Sequence, residues 1–186
     1  MLGDSFLPVF DNKSIARAKG VVLVLSLAIA TALAASIKIE IGLVPITLQT
    51  LVVLMSGILF GKKIGSASQV TYLLAGLAGI PWFSRGGGFA YLLSPTFGYI
   101  VGFVVAAYIV GYLAENGWSK RFVFAVAAMA AGNVAIYLLG GLWLLRFIPA
   151  ADVLPIGIYP FIVGDLLKIL VAGLILPAAW KLSLRI

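Results

Sequence analysis

Histidine and cysteine are both absent from the 186 residues, and only 6 residues are acidic. Their absence excludes Ser-His and Cys-His nucleophiles, zinc sites built from thiolates or imidazoles, haem attachment through cysteine, and disulfides. The acidic residues are scattered along the chain, which also argues against catalysis by paired carboxylates. We therefore expect that the protein is not an enzyme, holds no metal and needs no cofactor.

Charged residues are scarce as well, at 10% of the chain, whereas 63% of the residues are apolar and the mean hydropathy is +1.17. A soluble domain has about 25% charged and about 45–50% apolar residues. A small protein cannot hide such an excess from water, so the composition excludes a soluble globular protein and a disordered chain. The placement of the net charge of +7 indicates membrane orientation rather than nucleic-acid binding.

Six apolar segments approach the length of about 20 residues that a membrane-spanning helix needs. They are Val21–Ile37, Pro45–Phe60, Ile64–Ile80, Phe97–Ala114, Phe122–Phe147 and Pro160–Trp180. The sequence therefore predicts an all-α, multi-pass membrane protein with six transmembrane helices. We expect one integral membrane domain over residues 1–186, of which residues 1–20 form a cytoplasmic tail or an interfacial segment.

Basic residues are distributed unevenly between the two ends of these segments. One side holds nine of them: Lys13, Arg17, Lys19, Lys62, Lys63, Lys120, Arg121, Lys181 and Arg185. The opposite side holds Lys38, Arg85 and Arg146. Cytoplasmic loops carry an excess of lysine and arginine, so we expect both termini to be cytoplasmic.

Two ionisable residues, Asp165 and Lys168, are three positions apart in the sixth segment and share one helix face. Ionisable groups within a membrane are costly and usually line a site or a cavity. We interpret the pair as a polar ligand site, with an ion pair that only fixes helix packing as the alternative. Gln49 and Tyr137 are further candidate ligand contacts, although an interhelical hydrogen bond explains Gln49 equally well. For Asn133 the interhelical role is favoured over ligand contact.

The loop between the third and fourth segments combines aromatic residues with Arg85 and the glycines Gly86, Gly87 and Gly88. Three consecutive glycines permit backbone conformations that other residues avoid. We interpret the loop as a mobile lid over an outward-facing pocket. The alternative is an interfacial loop whose arginine extends to the membrane surface.

Small residues recur every four positions in the first segment, at Ala28 and Ala32 and at Ala30 and Ala34. This spacing allows close approach of two helices. Taken alone, the spacing favours packing within the chain over docking of a partner.

Several further sequence elements, in this order and spacing, resemble the BioY family of biotin-binding substrate subunits (S components) of energy-coupling-factor transporters. They are Leu43–Leu51, the glycines Gly57, Gly61 and Gly65, then Tyr72, Gly76, Gly79 and Pro81, Gly87-Gly88, Pro95–Tyr99, Gly102-Phe103, Gly140–Trp143 and Gly164–Lys168. Two departures are visible. Arg85 stands one place earlier than the arginine of the family's Gly-Gly-Arg-Gly-Gly stretch, and Phe97 stands where a glycine is usual.

The resemblance implies a six-helix fold that binds biotin near its outer surface, with Asp165 and Lys168 as binding residues. It implies a multi-pass protein of a prokaryotic cell membrane, surrounded by lipid, with biotin as its transported ligand. It further implies that the alanine stripe docks on a transmembrane coupling subunit and that two ATPase subunits supply the energy. The alternative function is an autonomous secondary transporter of a small amphipathic anion, in which Asp165 carries the coupling ion.

Overall fold

The computed structural model describes residues 13–183, with side chains described for residues 17–174 and for Leu176. Its helices are α1 (Lys13–Ser36), α2 (Gln49–Leu77), α3 (Phe97–Glu115), α4 (Phe122–Leu144), α5 (Ala150–Gly157) and α6 (Tyr159–Ser183). Two short antiparallel strands, β1 (Lys38–Ile39) and β2 (Ile46–Thr47), connect α1 to α2. Single 3₁₀ turns cover Phe89–Leu93 and Trp118–Lys120.

Within the described residues, five helical stretches are long and apolar enough to cross a membrane. They are Arg17–Ser36, Gln49–Leu77, Phe97–Glu115, Phe122–Leu144 and Ala150–Leu174. Large apolar side chains project from the outside of the bundle, including Leu33 (66% exposed), Val123 (71%) and Leu174 (68%). Extended apolar surface of this kind is unfavourable in water. The helical fold expected from the composition is thus confirmed, and its five apolar helices are consistent with a polytopic membrane protein.

Helix α2 is not straight, because Gly61 has φ 78° and ψ 174°, outside the helical region. Its halves, residues 49–60 and 62–77, run back against each other. A Cβ built on Gly65 would lie 2.9 Å from the Cα of Gly57, eight positions earlier in the chain. The hairpin turn lies in the interval between the second and third predicted segments. A glycine suits this position since L side chains rarely adopt that φ.

The turn at Gly61 is fastened to the end of α3 by Glu115. One carboxylate oxygen of Glu115 accepts the backbone N–H of Lys62 at 2.9 Å, and the other lies 3.2 Å from Nζ of Lys62. These contacts place the turn beside the α3–α4 connection, at what is called here the Gly61 end. The beginning of α1 lies at the same end, because Arg17 and Lys63 line one surface groove.

The remaining connections, residues 37–48, 78–96 and 145–158, meet at the opposite end, called here the pocket end. The hydroxyl of Tyr99 donates to the carbonyl of Gly157 at 2.8 Å, and the indole N–H of Trp143 donates to the carbonyl of Ser94 at 3.0 Å. Helices α3 and α4 pack closely between the two ends, since a Cβ on Gly140 would overlap the Tyr99 ring. A rigid frame of packed helices therefore surrounds the pocket end.

The structure differs from the predicted segments in several places. The second segment becomes helical at Gln49 rather than at Pro45, because Ile46–Thr47 forms β2, and the third ends at Leu77 rather than at Ile80. Helix α1 begins at Lys13 rather than at Val21, because the basic residues there continue the helix beyond its apolar part. Helix α5 lies between the predicted fifth and sixth segments and was not predicted, since Pro155 interrupts its short sequence. Residues 1–12 of the predicted tail lie outside the described residues.

Candidate ligand-binding pocket

A cavity of roughly 510 Å³, counted out to its open mouth, lies at the pocket end between α2, α3, α4 and α6. The lining residues are Val44, Pro45, Thr47, Gln49, Thr50, Ser84, Thr96, Tyr99, Ile100, Phe103, Ile136, Tyr137, Phe161, Asp165 and Lys168. Four of the five predicted ligand contacts, Gln49, Tyr137, Asp165 and Lys168, are thus brought to one cavity.

Asp165 and Lys168 form an ion pair on one face of α6, with 2.8 Å between Nζ and Oδ1. Asp165 is 4% exposed, and the Lys168 side chain is 14% exposed. Removing two charges from water is costly unless hydrogen bonds satisfy their remaining atoms. The pair therefore depends on the polar groups that neighbouring helices supply.

Two other helices supply those groups. From α2, the Thr50 hydroxyl donates to Oδ1 of Asp165 at 2.8 Å. From α4, the Tyr137 hydroxyl and the Asn133 amide donate to Oδ2 at 2.6 and 3.2 Å. Nζ of Lys168 also donates to the backbone carbonyl of Thr47 at 2.7 Å and to the Thr50 hydroxyl at 3.0 Å. The pair thus ties α2, α4 and α6 together at the cavity wall.

Asn133 makes the interhelical hydrogen bond that its sequence position favours, and it is not among the residues lining the cavity. Its carbonyl oxygen is buried and has no hydrogen-bond partner among the described residues. An unpaired acceptor therefore lies beside Asp165, which itself only accepts hydrogen bonds when ionised.

Gln49 connects the cavity wall to the loop above it. Its amide N–H donates to the Tyr72 hydroxyl at 2.8 Å, and its carbonyl accepts from the Thr47 hydroxyl at 3.0 Å. The Tyr72 hydroxyl in turn donates to the carbonyl of Trp82 at 3.1 Å. Gln49 is 4% exposed, so it serves the packing of the hairpin as well as the cavity.

The rest of the cavity wall is largely apolar. Ile100 and Phe103 contribute from α3, Ile136 from α4 and Phe161 from α6, while Val44 contributes from the first loop. An apolar wall with a few convergent polar groups is typical of sites for small amphipathic molecules.

Arg85 lies at the mouth of the cavity but is not one of its lining residues. Its guanidinium forms an ion pair with Glu40 and donates to the backbone carbonyls of Leu43, at 2.9 Å, and of Gly42. Lys38 reinforces the contact, with Nζ 2.9 Å from Glu40 and a hydrogen bond to the carbonyl of Ser84. The loops at residues 37–48 and 78–96 are therefore joined above the cavity.

Hydrogen bonds from Arg85, and then from Lys38, lower the pKa of the Glu40 carboxyl from 4.5 to about 2. Glu40 is consequently ionised throughout the neutral pH range. We call the contact between Arg85 and Glu40 the loop latch. That Arg85 also contacts a ligand stays a prediction.

The predicted lid glycines shape the second of these loops. Gly86 and Gly88 have φ of 114° and 93°, and a Cβ on Gly87 would overlap the carbonyl of Ile80. The backbone groups of Phe83 and Gly86 hydrogen-bond to each other across a tight turn. Within this turn, the carbonyl of Ser84 accepts a hydrogen bond from Nζ of Lys38. The glycines thus permit a compact turn at the cavity mouth, and movement of this turn as a lid stays a prediction.

The alanine stripe of α1 is divided between two environments. Ala28 (1% exposed) and Ala34 (4%) are buried within the chain, whereas Ala30 and Ala32 are half-buried. Ala32 also packs against the core cluster. Ala28 and Ala34 therefore follow the internal packing that their spacing favours, and Ala30 is the member of the stripe that is neither buried nor packed against the core cluster.

Some residues of the site were missed in the sequence. Thr50 is adjacent to the predicted contact Gln49, and its hydroxyl can both donate and accept hydrogen bonds. This position in the sequence is a signal from which Thr50 could have been predicted. The Thr47 carbonyl is a backbone acceptor and Glu40 is a loop carboxylate 45 positions from its partner. No local sequence pattern indicates either contact.

Among the described residues, no group of three or more Asp and Glu side chains could hold a metal ion. The arrangement offers one cationic donor, a carboxylate acceptor and an amide within an apolar cavity. It can therefore bind a molecule that carries both hydrogen-bond donors and acceptors.

The sequence profile of the BioY family matches residues 10–185. A protein of Pyrococcus horikoshii named "Probable biotin transporter BioY" is 38% identical over 161 residues, which cover 86% of this chain and 94% of that protein. The "Biotin transporter BioY" of Thermotoga maritima is 38% identical over 81% of this chain and 89% of its own length.

A solved structure, the S-component for biotin from an ECF-type ABC transporter, has a similar fold. The TM-score is 0.80 at 24% sequence identity, and the alignment covers 94% of this chain and 95% of that one. The similarity supports the helix arrangement described above.

Proposed function

The chain belongs to the BioY family, and on that premise we propose that it is the biotin-binding subunit of a vitamin uptake transporter. It captures biotin at the outer face of the cell membrane and delivers it inward with an energy-coupling module. The relatives named as biotin transporters make it a transport protein rather than an enzyme. Biotin is the transported ligand, and no cofactor takes part in its binding.

The observation that carries this proposal is the buried Asp165–Lys168 pair in the wall of an otherwise apolar cavity. Biotin has a ureido group with two N–H donors and one carbonyl, and a carboxylate on an apolar chain. The carboxylate of Asp165 can accept a ureido N–H, and Nζ of Lys168 can donate to the ureido carbonyl.

Charge favours one orientation of biotin in the cavity. The inner cluster has one negative and one positive side chain, so it suits the neutral ureido ring. Burying the biotin carboxylate there would add an unbalanced charge, which is costly at low dielectric constant. The cavity mouth carries Arg85 and Lys38 against Glu40, an excess of one positive charge. We therefore place the biotin carboxylate at the mouth and the ureido ring beside Asp165 and Lys168.

The proposed topology has six membrane crossings with both termini in the cytoplasm. The hairpin at Gly61 supports two crossings within α2, the halves of which run in opposite directions. The excess of basic residues at the Gly61 end supports a cytoplasmic location for that end. The pocket end then faces outward, where biotin is available, and residues 1–186 act as one domain in the prokaryotic cell membrane.

We further propose that a transmembrane coupling subunit and two ATPase subunits complete the transporter. The solved structure with the similar fold is an S-component of an ECF-type ABC transporter. The docking face centres on Ala30 and the exposed α1 residues Ile29 and Leu33. The other described faces contact membrane lipid, and nucleic acid has no part in the function.

An autonomous secondary transporter is not favoured by the site. Asp165, the residue that would carry the coupling ion, is paired with Lys168 and accepts hydrogen bonds from Thr50, Tyr137 and Asn133. These contacts occupy both carboxylate oxygens, which a coupling ion would need as ligands.

Uptake of radiolabelled biotin into proteoliposomes tests the proposal. We expect ATP-dependent uptake when the chain is reconstituted with coupling and ATPase subunits, and no such uptake with the chain alone. Asp152→Asn, which changes an exposed acid on α5, is the control for Asp165→Asn. Accumulation by the chain alone, driven by an ion gradient, would instead support the secondary transporter.

A further inference from the structure

A surface groove runs between α1 and the second half of α2 at the Gly61 end, far from the biotin pocket. Its volume is roughly 900 Å³, counted out to its open side. Arg17, Gly20 and Val24 line it from α1, and Lys63, Ala67 and Thr71 line it from α2. The groove has no part in the proposed biotin site.

Two cations lie together at one end of this groove. The side chains of Arg17 and Lys63 are exposed, and within the part of the chain that the structure describes neither has an ion pair or a side-chain hydrogen bond. The adjacent Lys62 differs, because Glu115 neutralises it at 3.2 Å. Among the described residues, no acidic side chain compensates the positive charge at this end of the groove.

Apolar surface continues from these cations along the helices. The lining runs from Arg17 to Leu25 on α1, about 12 Å at 1.5 Å per residue, and over Ile64 and Ala67 on α2. A Cβ placed on Gly20 would have no atom within 4 Å, so the groove is open there. The groove thus combines a cationic end with an open, mainly apolar surface along α1 and α2.

We propose that this groove binds an anionic phospholipid, with its phosphate on Arg17 and Lys63 and an acyl chain along α1 and α2. Basic pockets between transmembrane helices on the cytoplasmic side bind anionic headgroups. A guanidinium and an ammonium group both form strong hydrogen bonds to phosphate. The inference goes beyond biotin binding and uses the proposed membrane orientation only to place the lipid in the inner leaflet.

Native mass spectrometry of the full chain in detergent tests the site, with phosphatidylglycerol and phosphatidylcholine of identical acyl chains as the probes. We expect preferential retention of phosphatidylglycerol. Each of Arg17→Gln and Lys63→Gln should lower that retention about fivefold, since one basic residue near a membrane surface contributes about 1 kcal/mol. The matched control is Arg121→Gln, which removes an exposed cation at the same end but outside the groove.

Gly20→Phe provides a second variant that fills the groove and leaves both cations in place. It should lower retention of phosphatidylglycerol, and biotin binding in each sample reports whether the variant is folded. Biotin binding should be unchanged in all of these variants, because the cavity lies at the opposite end. If the parent chain fails to bind biotin but retains phosphatidylglycerol, the proposed function fails and the lipid site remains.

Equal retention of the two lipids, or unchanged phosphatidylglycerol retention in the Arg17→Gln/Lys63→Gln double variant, would overturn the lipid proposal. The same conclusion follows if the double variant retains the lipid but no longer co-purifies with the coupling subunit. The groove would then be a protein-docking face.

Discussion

Gln49 and Tyr72 are 23 positions apart within one helical segment, yet the Gln49 amide donates a hydrogen bond to the Tyr72 hydroxyl at 2.8 Å. In a straight α-helix about 35 Å would separate them along the axis. The bond forms because the segment reverses at Gly61, which places the first half of α2 beside the second. One hydrogen bond thus connects the hairpin of α2 with the wall of the proposed biotin pocket.

This reversal predicts which residues share a side of the membrane. The chain has no cysteine, so single cysteines can be labelled with a membrane-impermeant maleimide on intact cells. Phe89→Cys and Arg146→Cys should react from outside, whereas Lys63→Cys and Arg121→Cys should react only after the membrane is opened. Reaction of the Phe89 and Lys63 variants from the same side would contradict the hairpin topology.

Gly61→Ala should destabilise the protein by about 1–3 kcal/mol, because the substitution strains a backbone with φ of 78°. The added methyl group would also lie 2.7 Å from a Glu115 carboxylate oxygen. Gly20→Ala is the control, since that position is helical and has open space around it. The midpoint of thermal unfolding measures both, and an unchanged midpoint for Gly61→Ala would show that the turn tolerates a side chain.

The loop latch should slow the exchange of biotin rather than determine its affinity. Arg85→Gln and Glu40→Gln each open the same contact, so each should raise the biotin dissociation rate, and the double variant should add little to either. Stopped-flow dissociation of a fluorescent biotin analogue measures the rates. Additive effects of the two substitutions would show that the residues act separately.

The latch also predicts how biotin exchange depends on pH. The pKa of Glu40 is lowered to about 2 in the folded chain, so its contribution to stability is present above the unfolded pKa near 4.5. That contribution is lost only as the pH falls towards 2. Between pH 8 and pH 5 the Glu40→Gln substitution should therefore change the dissociation rate by a constant factor.

Docking of the coupling subunit should depend on Ala30 and not on the buried alanines. Ala30→Trp should leave biotin binding intact but reduce co-purification with the coupling and ATPase subunits, because close helix approach needs small side chains. Val123→Trp on the exposed face of α4 is the control. Normal assembly and transport of the Ala30 variant would show that this face of α1 contacts lipid instead.

The apolar segments and the break between residues 60 and 64 could be predicted because each depends on neighbouring residues. Gly61, Lys62 and Lys63 interrupt an apolar run, and the structure reverses there. Helix α5 could not be predicted in the same way, because eight residues with an internal proline have neither the length nor the pattern of a spanning helix.

The same distinction applies to the site. Asp165 and Lys168 could be identified because their spacing of three places them on one helix face. The Thr47 carbonyl and the Glu40 carboxylate enter only through contacts between distant segments. Such contacts depend on how α2 packs against α6 and how the loops meet, which no local pattern encodes.

Isothermal titration of the purified chain with biotin tests the central claim most directly, without any partner subunit. We expect one biotin per chain and a higher thermal midpoint with biotin, since the ligand binds the folded state. Asp165→Asn and Lys168→Met should each weaken binding by about 1–3 kcal/mol or more, because each leaves a buried charged partner unsatisfied. Asp152→Asn should bind like the parent. A folded parent that shows neither heat nor stabilisation, or Asp165 and Lys168 variants that bind normally, would contradict this assignment of the biotin site.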